Sequence, residues 1–326
     1  MKTKLQVLTS AHFDDFASRV LTLRDEYSSY LESRSHSCRG YSIATAQMKR
    51  RWKKPYGQLC YYVPFWYSHV FDLSESQAVA TIALANIYLY HYFTLRDDFV
   101  DGHVDMAPSE GLIIDLIFSK SIELHLQTDL DGQLFLADLN RYMEEALEAE
   151  LFLNRHKGEV SEYGEIDFMM MGNKAALLKV SAAALSNLAG DRRKLGRLEE
   201  VLLMISIGLQ LVDDLTDWKH DLKIKNFTFP LVKAIEIVGA SSTDAIEEEQ
   251  ISRVLYSENI DDHVLNLARE YLERAKELLH NLDNRYLYSF VGGYIADIQA
   301  RQHEVQSSSY EWRFGDVLLG KHLLQS

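Results

Sequence analysis

Two clusters of aspartates are the residues of this chain best suited to chemistry. The first runs from Asp97 to Asp101 and the second from Asp213 to Asp217, and each reads Asp-Asp-x-x-Asp. Residues four apart share one face of an α-helix, so the first and last carboxylates of each cluster point the same way. Stacked carboxylates repel each other, and a hard cation such as Mg²⁺ relieves that repulsion through its oxygen ligands. The spacing therefore predicts two acidic sites for magnesium.

Asp221 extends the second acidic stripe by one further helical turn. Mg²⁺ commonly takes one or two carboxylates from a protein and its remaining ligands from water and substrate phosphates. Two acidic stripes that face each other would therefore bind a diphosphate through metal ions. The alternative is that chance copies of the motif lie on solvated helix faces of an acidic chain. The candidate metal ligands are Asp97, Asp98, Asp101, Asp213, Asp217 and Asp221.

Apolar segments precede both clusters, and this favours a site over a solvated face. Residues 88–93 and residues 204–212 are strongly apolar and precede the first and the second aspartate cluster. Acidic side chains at the end of a core helix commonly lie at the mouth of a cavity. We therefore expect two core helices that each carry a set of carboxylates at one end.

Other residues have both a functional and a structural interpretation. Lys174 lies in an apolar helical segment, where it would either extend to solvent or neutralise a bound diphosphate. The basic run 49–54 is either a solvated surface or a second anion site. Tyr92 and Phe93 are either core residues or rings whose faces stabilise a carbocation. His91, alone among apolar residues, is interpreted as a packed and hydrogen-bonded histidine rather than a base.

The elements that position these residues are predicted to be helices in a single domain, 1–326. The chain has 326 residues, of which 47% are hydrophobic and 25% charged, and only 4 are prolines. Helical periodicity occurs almost throughout, including one helix predicted over 164–189. The expected fold is all-α, with a helical bundle around a central cavity.

The same composition limits the partners and the compartment of the protein. A net charge of −14 argues against a nucleic-acid surface. The apolar stretch 78–93 is too short and too mixed for a membrane span, so we expect none. Two cysteines are too few for a disulfide framework, and a cytoplasmic location is expected.

Four features in order resemble the trans-isoprenyl diphosphate synthases and the class I terpene synthases that share their fold. The first is the cluster at 97–101, and the second is the pair Lys174-Ala175, in the place of a Lys-Thr pair. The third is the segment 210–217, which begins with Gln210 like the second aspartate-rich motif of those enzymes. The fourth is the segment 228–231, similar to their Thr-Leu-Pro sequence. The resemblance covers roughly residues 45 to 235.

This resemblance implies an isoprenoid-synthase α-helical bundle in which three Mg²⁺ ions bridge the aspartates and a prenyl diphosphate. Metals and Lys174 would stabilise charge on the leaving diphosphate, and an apolar cavity would keep water from the allylic cation. A homodimer remains an open expectation. The residues expected to act in catalysis are Asp97, Asp101, Asp213 and Lys174, and those expected to contact substrate are Lys174, Gln210, Arg313, Phe93 and Tyr92.

Departures from both groups decide which activity the sequence favours. Elongating prenyl synthases carry an Arg-Arg-Gly soon after the first motif, whereas Gly102 to Met106 contains no arginine here. Their basic motif is only loosely similar to residues 50–55. Terpene synthases have an arginine sensor roughly where Asp167 stands, and a C-terminal Arg-Tyr pair that Arg313-Phe314 matches imperfectly.

The sequence therefore favours a Mg²⁺-dependent terpene synthase that cyclises one linear prenyl diphosphate and releases diphosphate. The first alternative is a chain-elongating prenyltransferase that condenses an allylic diphosphate with isopentenyl diphosphate. A catalytically silent partner subunit is the second alternative, and the two complete aspartate motifs argue against it.

Overall fold

Helices form every regular element in the part of the chain that the computed structural model describes, residues 11–52, 55–74, 76–100, 104–239 and 246–303. One isolated β-bridge joins Lys157 to Asn226. The α-helices, in chain order, are α1 (Ala11–Glu32), α2 (Arg39–Arg51), α3 (Pro55–Val70), α4 (Gln77–Val100), α5 (Pro108–Leu126), α6 (Gly132–Leu153), α7 (Glu165–Asn173), α8 (Lys179–Ala189), α9 (Arg192–Lys223), α10 (Phe229–Val238), α11 (Glu248–Ser257), α12 (Ile260–Leu279) and α13 (285–303).

Prolines lie mostly where a helix tolerates them, which helps to explain the all-α architecture. Pro108 and Pro230 occupy the first turns of α5 and α10, where the missing N–H would have no helical partner. Pro64 is the exception, because it lies inside α3. The prediction of an all-α fold is confirmed.

The chain divides into two compact units, each built from several segments. The first unit comprises Met1–Met143, Leu177–Glu199 and Leu279–Phe290, and the second comprises Glu144–Ala176, Glu200–Leu278 and Val291–Ser326. The single domain expected from the sequence stays a prediction.

The core of the first unit is rich in aromatic side chains. Trp66, Tyr61 and Tyr67 on α3 are at most 2% exposed, and the Trp66 ring packs on Phe290 with centroids 5.5 Å apart. Burial of rings of this size contributes most of the apolar area that stabilises a core.

α4 is the central apolar helix of this unit and carries the first aspartate cluster at its end. Most of its residues from Val79 to Leu95 are buried. By length and composition α4 could cross a membrane, with a mean hydropathy of 1.3 over its most apolar window, but 67% of that window is buried. Core helices of globular proteins reach the same length and hydropathy, so these values are weak evidence for a membrane span.

In the second unit, two glycines bring helices close to α9. A Cβ on Gly172 of α7 would lie 2.6 Å from Leu203 Cδ1 and 2.7 Å from Ile207 Cγ1. A Cβ on Gly208 of α9 would lie 2.8 Å from Leu272 Cγ of α12. Both glycines therefore serve close helix packing beside the second aspartate cluster.

The continuous helix predicted over 164–189 is wrong. α7 ends at Asn173, and a 3₁₀ turn at Ala176–Leu178 precedes α8. Gly172 weakens the helix locally, and its tight packing against α9 favours a break immediately after it. This break places Lys174 at the end of α7 rather than in the middle of a helix.

Candidate active site

The first aspartate cluster lies at the C-terminal end of α4, in the first unit. Asp97 is exposed there, whereas Asp98 is only 7% exposed. The Asp98 Oδ1 atom accepts a hydrogen bond from Arg51 Nη2 at 2.7 Å. Asp101, the third predicted ligand of this cluster, lies outside the described residues.

Arg51 connects the basic run 49–54 to the first cluster, a contact that the sequence did not indicate. It closes the last turn of α2, where Lys49 and Arg50 add further positive charge at the negative end of the helix dipole. Lys49 pairs with Glu32 at 2.8 Å, and residues 53 and 54 lie outside the described part. A basic helix end thus lies beside the first aspartate cluster.

Aromatic packing fixes the end of α4 above α5. The Tyr92 ring stacks on Phe118 with centroids 4.5 Å apart, and Phe93 meets it edge-on at 4.6 Å. Phe99, inside the cluster, packs over Gly111, whose added Cβ would lie 3.2 Å from the ring. Tyr92 is buried in this packing and Phe93 is partly exposed, so their predicted contact with substrate stays a prediction.

His91 is buried beneath the same helix end and bonds to the Tyr27 hydroxyl through Nδ1. Burial, reinforced by the charge of Arg51, lowers the pKa of His91 to about 3. The residue is therefore neutral and packed, in agreement with its interpretation from the sequence.

In the second unit, the four aspartates of α9 fall into two classes. Asp213 and Asp217 are exposed, whereas Asp214 is 6% and Asp221 is 9% exposed. Because 3.6 residues complete a turn, a residue eight positions along the helix is rotated by about 80°. The predicted stripe therefore begins at the surface and turns inward at Asp221.

Asp214 is held by the residue that begins the second motif. Gln210 Nε2 donates a hydrogen bond to Asp214 Oδ1 at 2.7 Å. Burial raises the pKa of Asp214 to about 7, with smaller increases from the charges of Asp221 and Asp213, while Gln210 and Lys174 oppose the shift. Gln210 thus supports a buried carboxyl, and its predicted contact with substrate stays a prediction.

Lys174 is positioned at the end of α7 by a carboxylate on α6. Its Nζ lies 3.1 Å from Glu150 Oε2, and both side chains are 44% exposed. Lys157 Nζ approaches the same carboxylate at 3.5 Å. The positive charge of Lys174 also acts on the carboxyl groups of Asp214 and Asp221 and lowers the pKa of each. Lys174 is therefore a cation beside the second cluster and not a distant surface residue.

α13 also lies beside the second aspartate cluster, and its residues were not among the predicted site residues. Tyr294 is close enough to Asp213 and Asp297 for both charges to raise its pKa, although burial is the larger cause. Arg301 Nη1 donates to the hydroxyl of Thr216 at 3.2 Å. These α13 residues are spaced three and four apart, the pattern of one helix face, which was the signal available in the sequence.

The remaining predicted site residues lie outside the described residues. They are Asp101, together with Arg313 and Phe314 near the C-terminus. Within the described part of the chain, Arg301 is the arginine that contacts the second motif from the C-terminal side.

The carboxylates fit a metal that completes its ligand sphere with substrate. Among the described residues, no group of three or more His, Cys, Asp or Glu side chains could hold a metal ion. Mg²⁺ binds in many enzymes through one or two carboxylates and substrate phosphates instead of an all-protein cage. The exposed pair Asp213 and Asp217 and the exposed Asp97 are oxygen donors of that kind.

Comparison with solved structures shows that the chain shares its fold with proteins named as isoprenyl diphosphate synthases. The chain is similar to a geranylgeranyl pyrophosphate synthetase from the archaeon Geoglobus acetivorans, with 20% identity and a TM-score of 0.70 over 86% of this chain and 99% of that chain. It is also similar to heptaprenyl diphosphate synthase from Staphylococcus aureus, with 14% identity and a TM-score of 0.66 over 88% and 98% of the two chains.

A third similar structure is a polyprenyl synthase from Caulobacter crescentus complexed with calcium and isoprenyl diphosphate. Its identity is 17% and its TM-score 0.57, over 82% of this chain and 96% of that chain. No family model matches the chain, and no curated protein matches it significantly. At these identities the likeness shows the shared fold.

Proposed function

We propose that this protein is a divalent-metal-dependent prenyltransferase that condenses an allylic prenyl diphosphate with isopentenyl diphosphate. This was the first alternative drawn from the sequence, and the prediction of a terpene cyclase is not confirmed. The solved structures of the same fold are named as prenyl diphosphate synthases, which supports elongation. The complex of one of them with calcium and isoprenyl diphosphate supports a metal and a prenyl diphosphate as ligands.

The observation that carries the proposal is the ion pair between Arg51 and Asp98. Elongation needs fixed cations for a second diphosphate close to the first. Arg51 is 23% exposed and lies 2.7 Å from the first aspartate cluster, at a helix end that also carries Lys49 and Arg50. This basic end is therefore the proposed site for isopentenyl diphosphate.

The chain's own residues have distinct tasks in this proposal. Lys174 and Arg301 are the cations that would bind the leaving diphosphate on the side of the second cluster. The buried aromatic rings on α4 that precede Asp97 would hold the isoprenoid tail and exclude water from the allylic cation. The C–O bond of the allylic substrate breaks with its electron pair on the diphosphate. The double bond of isopentenyl diphosphate then attacks the allylic cation and forms a C–C bond, and the new cation on the isopentenyl unit loses a proton to give a C=C bond.

Magnesium is the expected metal. Its proposed ligands are the exposed carboxylate of Asp97 in the first unit and, in the second unit, the exposed carboxylates of Asp213 and Asp217 with Asp221 at the inner end of the stripe. Bound there, it would neutralise negative charge that develops on the leaving diphosphate. Three ions were expected from the family resemblance, and that number stays a prediction.

Cyclisation of a single prenyl diphosphate is the second candidate function. The observation that favours it is the absence of an arginine between Gly102 and Met106, where elongating enzymes carry two. In that case the basic end of α2 would serve only to orient Asp98.

Replacement of the metal-binding carboxylates tests the part that both candidates share. We expect Asp97→Ala and Asp213→Ala each to abolish diphosphate release at ordinary Mg²⁺ concentrations, because each change removes a metal ligand. Diphosphate release from an allylic substrate in the presence of isopentenyl diphosphate is the measurement, and Asp115→Ala, which changes an exposed aspartate on α5, is the control. A well-folded double variant with normal Mg²⁺-dependent turnover would refute the metal site.

A further inference from the structure

A buried polar cluster lies next to the second aspartate motif and has no part in the proposed function. His156 and Asp167 are 1% and 2% exposed. His156 Nε2 donates to Asp167 Oδ1 at 2.8 Å, and the Gly164 N–H donates to Asp167 Oδ2 at 2.8 Å. Arg155 donates to the same carboxylate, and Ser161 Oγ donates to His156 Nδ1 at 2.8 Å. Every hydrogen-bonding atom of this histidine and carboxylate pair is thus occupied.

Such a cluster fixes its segment in one conformation. A buried carboxylate is costly unless it is paired and fully hydrogen-bonded. Burial alone would raise the pKa of Asp167, but the donors from Gly164, His156 and Arg155 outweigh it and lower the pKa. The segment from Arg155 to Gly164 is consequently held at several points, and the Tyr163 ring stacks on His156 with centroids 4.1 Å apart.

Backbone hydrogen bonds join this segment to the loop after α9 and hold that loop in place. The Phe227 N–H donates to the His156 carbonyl at 2.9 Å, and the Gly158 N–H donates to the Lys225 carbonyl at 2.7 Å. Lys225 adopts a φ of 55°, a left-handed conformation that costs free energy in a residue with a side chain. The pairing with His156 and Gly158 holds that turn.

A residue of the same turn, Asn226, is hydrogen-bonded to an aspartate of the acidic stripe. Asn226 Nδ2 donates to Asp221 Oδ1 at 3.2 Å, and the Asn226 N–H donates to the Asp221 carbonyl at 2.8 Å. Asp221 is 9% exposed and lies one turn beyond the exposed Asp217. Its side-chain orientation is therefore set by Asn226.

We propose that Asn226 is a positioning residue for the carboxylate of Asp221, and that the buried His156–Asp167 pair acts through it. Hydrogen bonds from residues behind a metal ligand orient the ligand and commonly change metal affinity by 10–100-fold. Asn226 occupies that place for Asp221, and the pair fixes Asn226 through the backbone. This inference rests on the proposed metal site, of which Asp221 is the inner end.

The test uses Mn²⁺ in place of Mg²⁺, because free Mn²⁺ is measured directly by electron paramagnetic resonance. The full-length protein is titrated with Mn²⁺ in the presence of inorganic diphosphate, so that no turnover is needed. The variants are Asn226→Ala, Asn226→Ser, whose side chain is too short to reach Asp221, and the isosteric Asp167→Asn. Asn140→Ala, an exposed asparagine on α6, is the matched control. Circular dichroism establishes that each variant is folded.

We expect half-saturation to require on the order of tenfold more Mn²⁺ in both Asn226 variants. Asp167→Asn should shift it in the same direction, and Asn140→Ala should not shift it. Folded variants that bind Mn²⁺ as wild type does would overturn the positioning role, even if they melt at lower temperature. If wild type itself binds no Mn²⁺ with diphosphate, the proposed metal site fails first, and this inference falls with it.

Discussion

Burial separates the carboxylates of α9 into two kinds of residue. Asp213 and Asp217 are exposed, whereas Asp214 is buried against Gln210 and Asp221 against Asn226. An exposed carboxylate retains its hydration and exchanges it for a metal at low cost, while a buried one depends on its hydrogen-bond partners. The motif therefore combines the exposed candidate ligands Asp213 and Asp217 with Asp221, a buried candidate ligand oriented by Asn226, and with Asp214, which bonds to Gln210.

Lys174 gives the first prediction at the scale of a single residue. If it neutralises the bound diphosphate, Lys174→Ala should lose about 2–4 kcal/mol of transition-state stabilisation, the scale of removing one donor to a developing charge. The measurement is kcat/KM for the allylic substrate. Lys223→Ala, an exposed lysine in the last turn of α9, is the control and should behave as wild type. An unchanged kcat/KM in Lys174→Ala would make Lys174 an ordinary surface residue.

Asp261 gives the second prediction, which concerns stability and pH. The side chain is 3% exposed, its Oδ2 atom has no hydrogen-bond partner, and burial raises its pKa to about 6. Because the carboxyl pKa is raised in the folded state, ionisation of Asp261 lowers the free energy of unfolding above pH 6. This loss of stability diminishes as the pH falls towards 4. Asp261→Asn should therefore raise the free energy of unfolding by about 1–2 kcal/mol at pH 7.5.

The pH dependence distinguishes this cause from a general effect of the substitution. At pH 4 the wild-type carboxyl is protonated in the folded state, so the gain from Asp261→Asn should disappear. Urea unfolding at both pH values is the measurement, with the exposed Asp129→Asn as the control. An equal gain at pH 4 and pH 7.5 would contradict the assignment of the penalty to a buried charge.

At the scale of helices, glycines determine how closely neighbours approach α9. Gly172 and Gly208 stand where a Cβ would collide with a packed neighbour, whereas Gly196 on the same helix α9 has open space around it. The sequence places these glycines in helices but does not show which of them is closely packed, because close packing depends on tertiary contacts.

The matched pair on α9 gives a prediction of opposite sign. Gly208→Ala should lower the free energy of unfolding by about 1–3 kcal/mol, because the methyl group meets Leu272 Cγ at 2.8 Å and the Ala268 carbonyl at 3.0 Å. Gly196→Ala should raise it by about 0.5–1 kcal/mol, because alanine favours the helix and meets nothing. Denaturant unfolding of both variants checks this, and a stabilised Gly208→Ala would show that α9 and α12 are not closely packed there.

For the whole molecule, the sequence predicted the features that arise from local periodicity and spacing. Helices were predictable because apolar residues recur at helical intervals, and the aspartates were notable because four-residue spacing places them on one face. The break after Gly172 was missed because it depends on packing against α9. Arg51 contacts Asp98, 47 positions along the chain, and Arg301 contacts Thr216, 85 positions away. A local sequence pattern does not predict which distant residues meet in such contacts.

The choice between elongation and cyclisation also belongs to the whole molecule, because it depends on whether a second diphosphate is bound. The most direct test is incubation with C10, C15, C20 and C25 allylic diphosphates and Mg²⁺, each with and without isopentenyl diphosphate, followed by analysis of hydrocarbons and diphosphates. We predict that products form only with isopentenyl diphosphate and are longer linear diphosphates. A cyclic hydrocarbon or alcohol formed from one allylic diphosphate alone would contradict the prenyltransferase proposal and establish the cyclase instead.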